Sequence, residues 1–272
     1  MAKLMSGKRG LIMGVANNHS IAWGIAKMLA DHGADLAFTH QGAAMARRVQ
    51  PLAQSVGSTL VMDCDVEDIT SVDAVFDALD HNWGTLDFFV HAVAFSDKNE
   101  LTGRFADTTR ENFQRTMTIS CFSFVETGRR AAALMSKGDT PGGSMVTLTY
   151  DGSQRVMPNY NVMGVAKAAL EASVRYMATD FGLDGIRVNA ISAGPMRTLA
   201  GAGVADARLM FNFQKQHAPL GRTVSLDEVG GAGLYLLSDL SGGVTGEIHY
   251  VDSGYNTISM PRLDALKAQQ QA

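Results

Sequence analysis

Short apolar, β-branched runs alternate along the chain with longer segments whose apolar residues recur at helical spacing. The pattern predicts seven strands, at residues 9–14, 35–39, 59–63, 86–91, 144–149, 187–191 and 247–251. It predicts six helices, at residues 21–32, 43–56, 71–82, 111–136, 160–181 and 227–239. Regular alternation favours an α/β fold in which helices cover both faces of a doubly wound, seven-stranded parallel sheet. No linker, charge block or internal repeat divides the chain, so residues 1–272 are expected to form a single domain, and the polar segment from Pro261 is given no element.

Composition and charge narrow the class of protein. The 272 residues are 46% hydrophobic, which is enough to bury one sizeable core. The net charge of −4 gives no overall basic surface, so no nucleic-acid partner is expected. No apolar run approaches the roughly 18 residues of a membrane span, and the first residues lack the apolar region of a signal peptide. Cys64 and Cys121 make no disulfide framework, and the seven histidines show no i/i+4 pair. We therefore expect a cytoplasmic protein without a metal site.

The turn after the first strand is the first candidate binding element, because parallel sheets bind ligands beyond the carboxyl ends of their strands. Gly14 ends the strand, and Ser20 stands where the next helix begins. A dinucleotide diphosphate needs backbone amides at a helix N-terminus, with glycine where a Cβ would block close approach. The usual G-x-G-x-x-G spacing is absent, so an ordinary strand–helix loop capped by Ser20 is the alternative.

The ends of the second and third strands are candidates for the adenosine half of a dinucleotide. Gln41 can bond ribose hydroxyls as a neutral donor and acceptor, and no cation stands immediately beside it, which favours NADH over NADPH. Arg47 and Arg48, on the next helix, keep the NADPH alternative open. Asp65 could accept a hydrogen bond from the adenine amine or could cap a turn.

Tyr160 and Lys167 form the candidate catalytic pair. They lie seven residues apart on one predicted helix, and two helical turns span about 7.2 residues, so both side chains should point to the same end of the sheet. A phenol beside an ammonium is expected to have a lowered pKa and to act as an acid, while the ammonium can bond ribose hydroxyls. The alternative is an exposed lysine and a tyrosine that only packs. Tyr150, just past the fifth strand, belongs to the same edge.

The residues around this pair carry a family resemblance. Residues 150–172, YDGSQRVMPNYNVMGVAKAALEA, and 187–200, RVNAISAGPMRTLA, closely resemble the NADH-dependent enoyl-[acyl carrier protein] reductases of bacterial type II fatty acid synthesis. That family is a divergent branch of the short-chain dehydrogenase/reductases, whose usual motif is Tyr-x-x-x-Lys preceded by a serine. Here position 164 is glycine, the lysine falls at 167, and Tyr150 resembles a replacement for the serine. The resemblance runs from Gly14 to Tyr255 and implies a Rossmann fold, a homotetramer and an enoyl-acyl carrier protein substrate.

The resemblance also implies a role for each matching residue. Tyr160 would contact the substrate carbonyl, Lys167 would hold the nicotinamide ribose, and Tyr150 would be a second active-site tyrosine. Gly14, Ser20 and Ile21 would line the cofactor diphosphate, and Gln41 would bind the ribose of the adenosine. Asp65 and Val66 would contact the adenine, and Val93 would pack beneath the cofactor. The nicotinamide carboxamide and phosphate would be surrounded by Met196, Arg197, Thr198, Leu199 and Ala200. Ser96 would lie at the substrate entrance, and Met163 would flank the pocket.

Two departures from the family pattern concern the pocket floor and the carrier protein. Ala94 stands where family members often have glycine, which adds one methyl group to the floor. In the segment directly after Ala200, up to residue 218, only Arg208 and Lys215 offer positive charge to an acidic carrier.

The resemblance implies reduction of a trans-2-enoyl thioester by NADH, the last step of the fatty acid elongation cycle. Two alternatives remain: a short-chain carbonyl or alcohol dehydrogenase, and a non-catalytic nucleotide-binding regulator. We further expect residues 196–218 to form a lid over the acyl chain. Gly201 and Gly203 weaken helix formation there, while Leu209, Met210 and Phe213 offer an apolar face. An ordinary amphipathic helix packed on the core is the alternative.

Overall fold

A computed structural model describes residues 3–138, 141–199, 201 and 205–270, and its centre is a parallel sheet of seven strands. All seven predicted strands are confirmed, and their ends differ from the prediction by at most two residues. The strands are β1 (Arg9–Met13), β2 (Asp35–His40), β3 (Leu60–Asp63), β4 (Phe88–His91), β5 (Gly143–Thr149), β6 (Ile186–Ala193) and β7 (Ile248–Val251).

The strand order is β3-β2-β1-β4-β5-β6-β7, so the direction of winding reverses between β1 and β4. Leu11 of β1 aligns with Ala37 on one side and with Phe89 on the other. A reversal of this kind opens a crevice beyond the carboxyl ends of the two central strands, which is where open α/β sheets bind ligands.

Helices cover both faces of the sheet. They are α1 (Ile21–Asp31), α2 (Gly42–Ser55), α3 (Ile69–Trp83), α4 (Arg110–Met117), α5 (Ser123–Met135), α6 (Asn161–Phe181), α7 (Ala207–His217), α8 (Leu226–Leu237) and α9 (Leu263–Gln270). Helices α1, α2 and α8 pack on one face, and α3, α5 and α6 on the other. Successive side chains of a strand point to opposite faces of the sheet. Phe88 therefore packs on the face covered by α1, α2 and α8, and Phe89 on the face covered by α3, α5 and α6. In the described part of the chain no helix is long and apolar enough to cross a membrane.

Glycines bring α1 and α8 into backbone contact. A Cβ on Gly230 would lie 2.7 Å from the carbonyl oxygen of Gly24, and a Cβ on Gly24 would lie 2.9 Å from that of Leu226. Both approaches are too close for any side chain. Gly24 therefore fixes the position of α1, whose N-terminus faces the crevice.

The helical segment predicted at 111–136 differs from expectation. It is divided into α4 and α5 by a π-helical turn, Thr118–Phe122. The hydroxyl of Ser120 in this turn both accepts from the N–H and donates to the carbonyl of Phe95, each at 2.9 Å. The turn thus joins this helix to the loop that follows β4. Helix α9, in the polar segment from Pro261, was not predicted either.

Candidate active site

Gly14 lies where β1 ends against the end of β4. Its φ is +99°, and a Cβ would stand 2.2 Å from the carbonyl oxygen of Ala92. Only glycine fits, so the two loop backbones meet at the bottom of the crevice. Val93 follows Ala92, half-buried against the core. The structure thus places Gly14 against Ala92, the residue before Val93, and the cofactor contact of Val93 stays a prediction.

Ser20 occupies the N-cap position of α1, as expected, but its hydroxyl makes no capping hydrogen bond to a backbone N–H of the helix. Its hydroxyl accepts instead from the backbone N–H groups of Ala16 and Asn17, at 3.0 and 3.1 Å. Ser20 is buried, and this contact folds the loop of residues 14–20 back on itself in front of α1. Ile21 is the first residue of α1 and is half-buried against the core.

Beside Gln41, which follows β2, lies a residue that sequence reasoning missed: Asp63, the last residue of β3. Gln41 is exposed and makes no capping bond to α2. Asp63, paired with His40 in register, accepts from the N–H of Gly42 at 2.7 Å and lies 3.2 Å from Nδ1 of His40. A carboxylate at a helix N-terminus takes the position that an anion would occupy. This charge disfavours a phosphate beside Gln41 and leaves room for a ribose with free hydroxyls.

Asp65 and Val66 follow β3. One carboxylate oxygen of Asp65 accepts from the N–H of Glu67 at 3.0 Å, so the turn-capping alternative holds for that oxygen. Val66 is half-buried against the core. The adenine contact of both residues stays a prediction.

Tyr150, Tyr160 and Lys167 converge beyond the carboxyl end of β5. The rings of the two tyrosines stand edge to face with centroids 5.4 Å apart. Lys167 is buried, and its Nζ donates to the carbonyl of Leu148 at 2.8 Å. Tyr160 directly precedes α6, and Lys167 lies two turns inside it. The Tyr160 ring contacts Tyr150 and the Lys167 ammonium bonds Leu148, so both side chains reach residues at the carboxyl end of β5.

The electrostatics of these groups differ from expectation. Burial raises the pKa of Tyr150 to about 12, and burial, Tyr150 and Glu171 together raise the pKa of Tyr160 above its ordinary value. The expected lowering of the Tyr160 pKa is wrong, because removal of the phenol from water outweighs any effect of the ammonium. Burial lowers the pKa of Lys167 to about 8, against the opposing effects of Cys121 and Glu171. Near neutral pH, Tyr160 is thus a neutral hydrogen-bond donor and Lys167 a cation.

Glu171 and His91 are two further buried polar residues at the site that sequence reasoning missed. Glu171 follows Lys167 by one helical turn, a spacing that could have drawn attention to it. His91, on β4, contacts the hydroxyl of Ser123 through Nε2 at 2.9 Å. Burial, then Lys167, lower the pKa of His91 to about 3, so this imidazole is neutral.

The predicted substrate entrance involves Ser96 and Met163. The hydroxyl of Ser96 accepts from Thr116 at 2.9 Å and bonds Asn112, so it is turned toward α4. Met163 is buried in a small apolar cluster with Leu101 and Tyr160. The structure therefore places Met163 beside Tyr160, and Ser96 connects the loop after β4 to α4.

The segment after β6 holds four of the five residues predicted around the nicotinamide; Ala200 lies outside the described residues. Met196 is half-buried against the core, and the Thr198 hydroxyl accepts from the N–H of Gly201 at 2.9 Å. The guanidinium of Arg197 lies 5.3 Å from the ring centre of Phe211 on α7. Leu199 is about half exposed. The segment is thus joined to α7 by a cation–π contact.

Helix α7 exposes apolar side chains and buries polar ones. Leu209 is 67% and Phe213 43% exposed, whereas Gln214 and His217 are buried. The Nε2 atoms of both buried residues have no hydrogen-bond partner among the described residues. The side of α7 that packs on the protein is therefore polar at Gln214 and His217, and the choice between a lid and an ordinary packed helix stays open.

Comparisons with known proteins agree with this geometry. A family profile described as "Enoyl-(Acyl carrier protein) reductase" matches residues 14–256. The enoyl-[acyl-carrier-protein] reductase [NADH] 2 of Rhizobium meliloti (strain 1021) is 69% identical, over 98% of each chain. The crystal structure of FabI from Candidatus Liberibacter asiaticus superposes with a TM-score of 0.93 at 57% identity, covering 96% of this chain and 100% of that one. The enoyl-(acyl-carrier-protein) reductase of Anaplasma phagocytophilum, solved in complex with NAD, gives a TM-score of 0.92 at 53% identity, covering 97% and 99%.

The family profile covers the crevice, both tyrosines and the buried lysine, and the relatives match nearly the whole chain. On these grounds the chain belongs to the enoyl-(acyl carrier protein) reductase family.

Proposed function

We propose that this chain is an NADH-dependent enoyl-[acyl carrier protein] reductase, which reduces the trans-2 double bond of enoyl thioesters at the end of each fatty acid elongation cycle. The observation that carries the proposal is the convergence of two tyrosines and a buried lysine beyond β5, at the edge where Gly14 opens the crevice. Family membership at high identity supports the same activity.

The residues present fit a nicotinamide dinucleotide. Gly14 lacks the Cβ that would fill the bottom of the crevice. The Lys167 ammonium has three N–H donors and one acceptor, Leu148, among the described residues, so two donors remain for ribose hydroxyls. We assign the diphosphate to Gly14, Ser20 and Ile21, and the ribose of the adenosine to Gln41. When bound, the reduced nicotinamide supplies a hydride for C3 of the enoyl chain.

Tyr160 then stabilises the negative charge that develops on the thioester oxygen, and a proton from solvent, delivered to C2, completes the reduction. Its raised pKa keeps the phenol protonated, so it donates a hydrogen bond without giving up its proton in the ground state. Lys167 places a positive charge near the same region and orients the ribose. Tyr150 supports the Tyr160 ring by edge-to-face contact. Met163, buried beside Tyr160, helps to exclude water from the reacting atoms.

Residues 196–218 are proposed as the lid over the acyl chain. The support is the exposed apolar face of α7, which an acyl chain would cover, and the unpartnered polar atoms on its buried side, which weaken its present packing. Arg208 and Lys215 are exposed on the same helix and are the candidate contacts for the acidic carrier protein.

The proposal includes a homotetramer located in the cytoplasm. An open groove is lined by Ile69 and Phe122, which are 46% and 53% exposed, and such apolar exposure favours contact with another subunit. Light scattering of the purified protein tests the assembly state: a monomer at all concentrations would refute this part.

The activity is tested by following NADH oxidation with a short trans-2-enoyl thioester, with NADPH and a panel of ketones in parallel. We expect reduction of the enoyl thioester with NADH and none of the ketones. Turnover of ketones alone would identify a carbonyl reductase, and NADH binding without any turnover would identify a regulator.

A further inference from the structure

The carboxylate of Glu171 anchors the segment that carries Tyr150. Glu171 is 1% exposed and lies on α6, four residues after Lys167. One of its oxygens accepts from the hydroxyls of Thr149, at 2.7 Å, and Ser153, and the other accepts from the side-chain amide of Gln154 at 2.6 Å. All three donors come from residues 149–154, so a single buried charge holds this segment from both sides of Tyr150.

The anchored segment presses directly on Tyr160. A Cβ on Gly152 would lie 2.6 Å from the Tyr160 ring, and one on Gly164 would lie 2.8 Å from the carbonyl oxygen of Gly152. The segment, the Tyr160 ring and the start of α6 are therefore packed without free space. A shift of residues 149–154 would move both tyrosines.

Glu171 also acts on the site through its charge. It raises the pKa of Tyr160 and raises that of Lys167, and both effects favour the states that the reaction needs. The other titratable groups that face Lys167 are His91 on β4 and Cys121 on the π turn. Those that face Glu171 from other elements are Asp151, after β5, and Tyr250 on β7.

We propose that Glu171 is a positioning residue of the reductase: it holds the Tyr150 segment against Tyr160 and supplies a fixed negative charge beside Lys167. This inference rests on the proposed function. It assigns Glu171 two separable tasks, one through hydrogen bonds and one through charge.

Two variants separate these tasks. Glu171→Gln removes the charge in a side chain of nearly the same size, whereas Glu171→Asp keeps the charge and withdraws it from its three donors. Asp180→Asn is the matched control, because it removes one negative charge from an exposed position near the far end of the same helix. Each protein is measured for kcat, for the pH profile of kcat/KM for NADH, and for the NADH Kd by fluorescence titration.

We expect Glu171→Gln to lower kcat about ten-fold or more and to move the alkaline limb of the profile to lower pH by about one unit. The direction of the shift follows because the charge of Glu171, after that of Cys121, raises the pKa of Lys167, and its size is of the order expected for partly screened charges one helical turn apart. Glu171→Asp should lower kcat and keep the wild-type alkaline limb. The NADH Kd should change less than about three-fold in both variants, and Asp180→Asn should match the wild type throughout.

Glu171→Gln with wild-type kcat and an unmoved alkaline limb would overturn the proposal. A reduced kcat with an unmoved alkaline limb would overturn it too, because a merely structural residue would give that result. If Glu171→Gln does not fold, Glu171→Asp decides: wild-type kcat there would also overturn it. Failure of the wild-type protein to reduce any enoyl thioester would refute the proposed function instead.

Discussion

The buried ammonium of Lys167 should make the protein less stable near neutral pH than it would be without that charge. Burial lowers the pKa of this group from 10.5 to about 8. In the unfolded chain the lysine regains its ordinary pKa, so between pH 8 and pH 10.5 the unfolded state binds more protons and stability rises with pH. Below pH 8 the full cost of the buried charge is present, and the lowering of the pKa from 10.5 to about 8 corresponds to about 3 kcal/mol.

Lys167→Met removes this cost together with the hydrogen bond to Leu148. The loss of the hydrogen bond is nearly independent of pH, whereas the cost of the buried charge falls by about 2.5 kcal/mol between pH 7 and pH 10. The stability of the variant relative to the wild type should therefore decline by that amount over this interval. For a chain of this size the Tm of Lys167→Met minus that of the wild type should fall by roughly 5 to 10 °C between pH 7 and pH 10.

Thermal unfolding of both proteins without cofactor, at pH 7 and pH 10, measures the effect. Lys98→Met serves as the control, because Lys98 is exposed and its replacement should produce no such pH dependence. If the difference in Tm between Lys167→Met and the wild type stays constant with pH, the reasoning is refuted. Such a result would show that burial of the Lys167 ammonium does not destabilise the folded protein.

Three further predictions concern the reaction, the cofactor and the lid. Tyr160→Phe should lower turnover of an enoyl thioester by about 100- to 1,000-fold while the NADH Kd stays within about two-fold; unchanged turnover would exclude the proposed role. Asp63→Asn keeps an acceptor for the N–H of Gly42 but removes the charge, so NADPH should bind about ten-fold more tightly than to the wild type, as judged by fluorescence titration; a Kd for NADPH that does not change would contradict this. Amide exchange in Ala207–His217 should slow when NADH and an acyl ligand are bound together; strong protection without ligands would rule out a lid.

The sheet could be predicted from the sequence because its strands are buried and read as short apolar runs. The sites after those strands followed from topology alone, and so did the common direction of Tyr160 and Lys167. The bond made by Ser20 could not be predicted, because residue type marks a cap position without saying which N–H the hydroxyl will reach. The π turn was missed because one extra residue barely disturbs the apolar periodicity over 111–136.

The remaining misses depend on contacts between distant parts of the chain. Asp63 meets Gly42 across 21 residues, and Glu171 meets Thr149 across 22. No local pattern marks such a carboxylate, although the one-turn spacing of Glu171 from Lys167 was visible. The raised pKa of Tyr160 depends on how deeply its hydroxyl is buried, which only the packed structure defines.

The π turn between α4 and α5 constrains the length of the chain as well as its composition. Deleting one residue from Thr118–Phe122 would restore regular α-helical hydrogen bonding and rotate one helix against the other by about 100°. Either Ser120 would lose both backbone groups of Phe95, or Phe124 would leave the core. Over evolutionary time this stretch should accept exchanges of side chain far more readily than insertions or deletions.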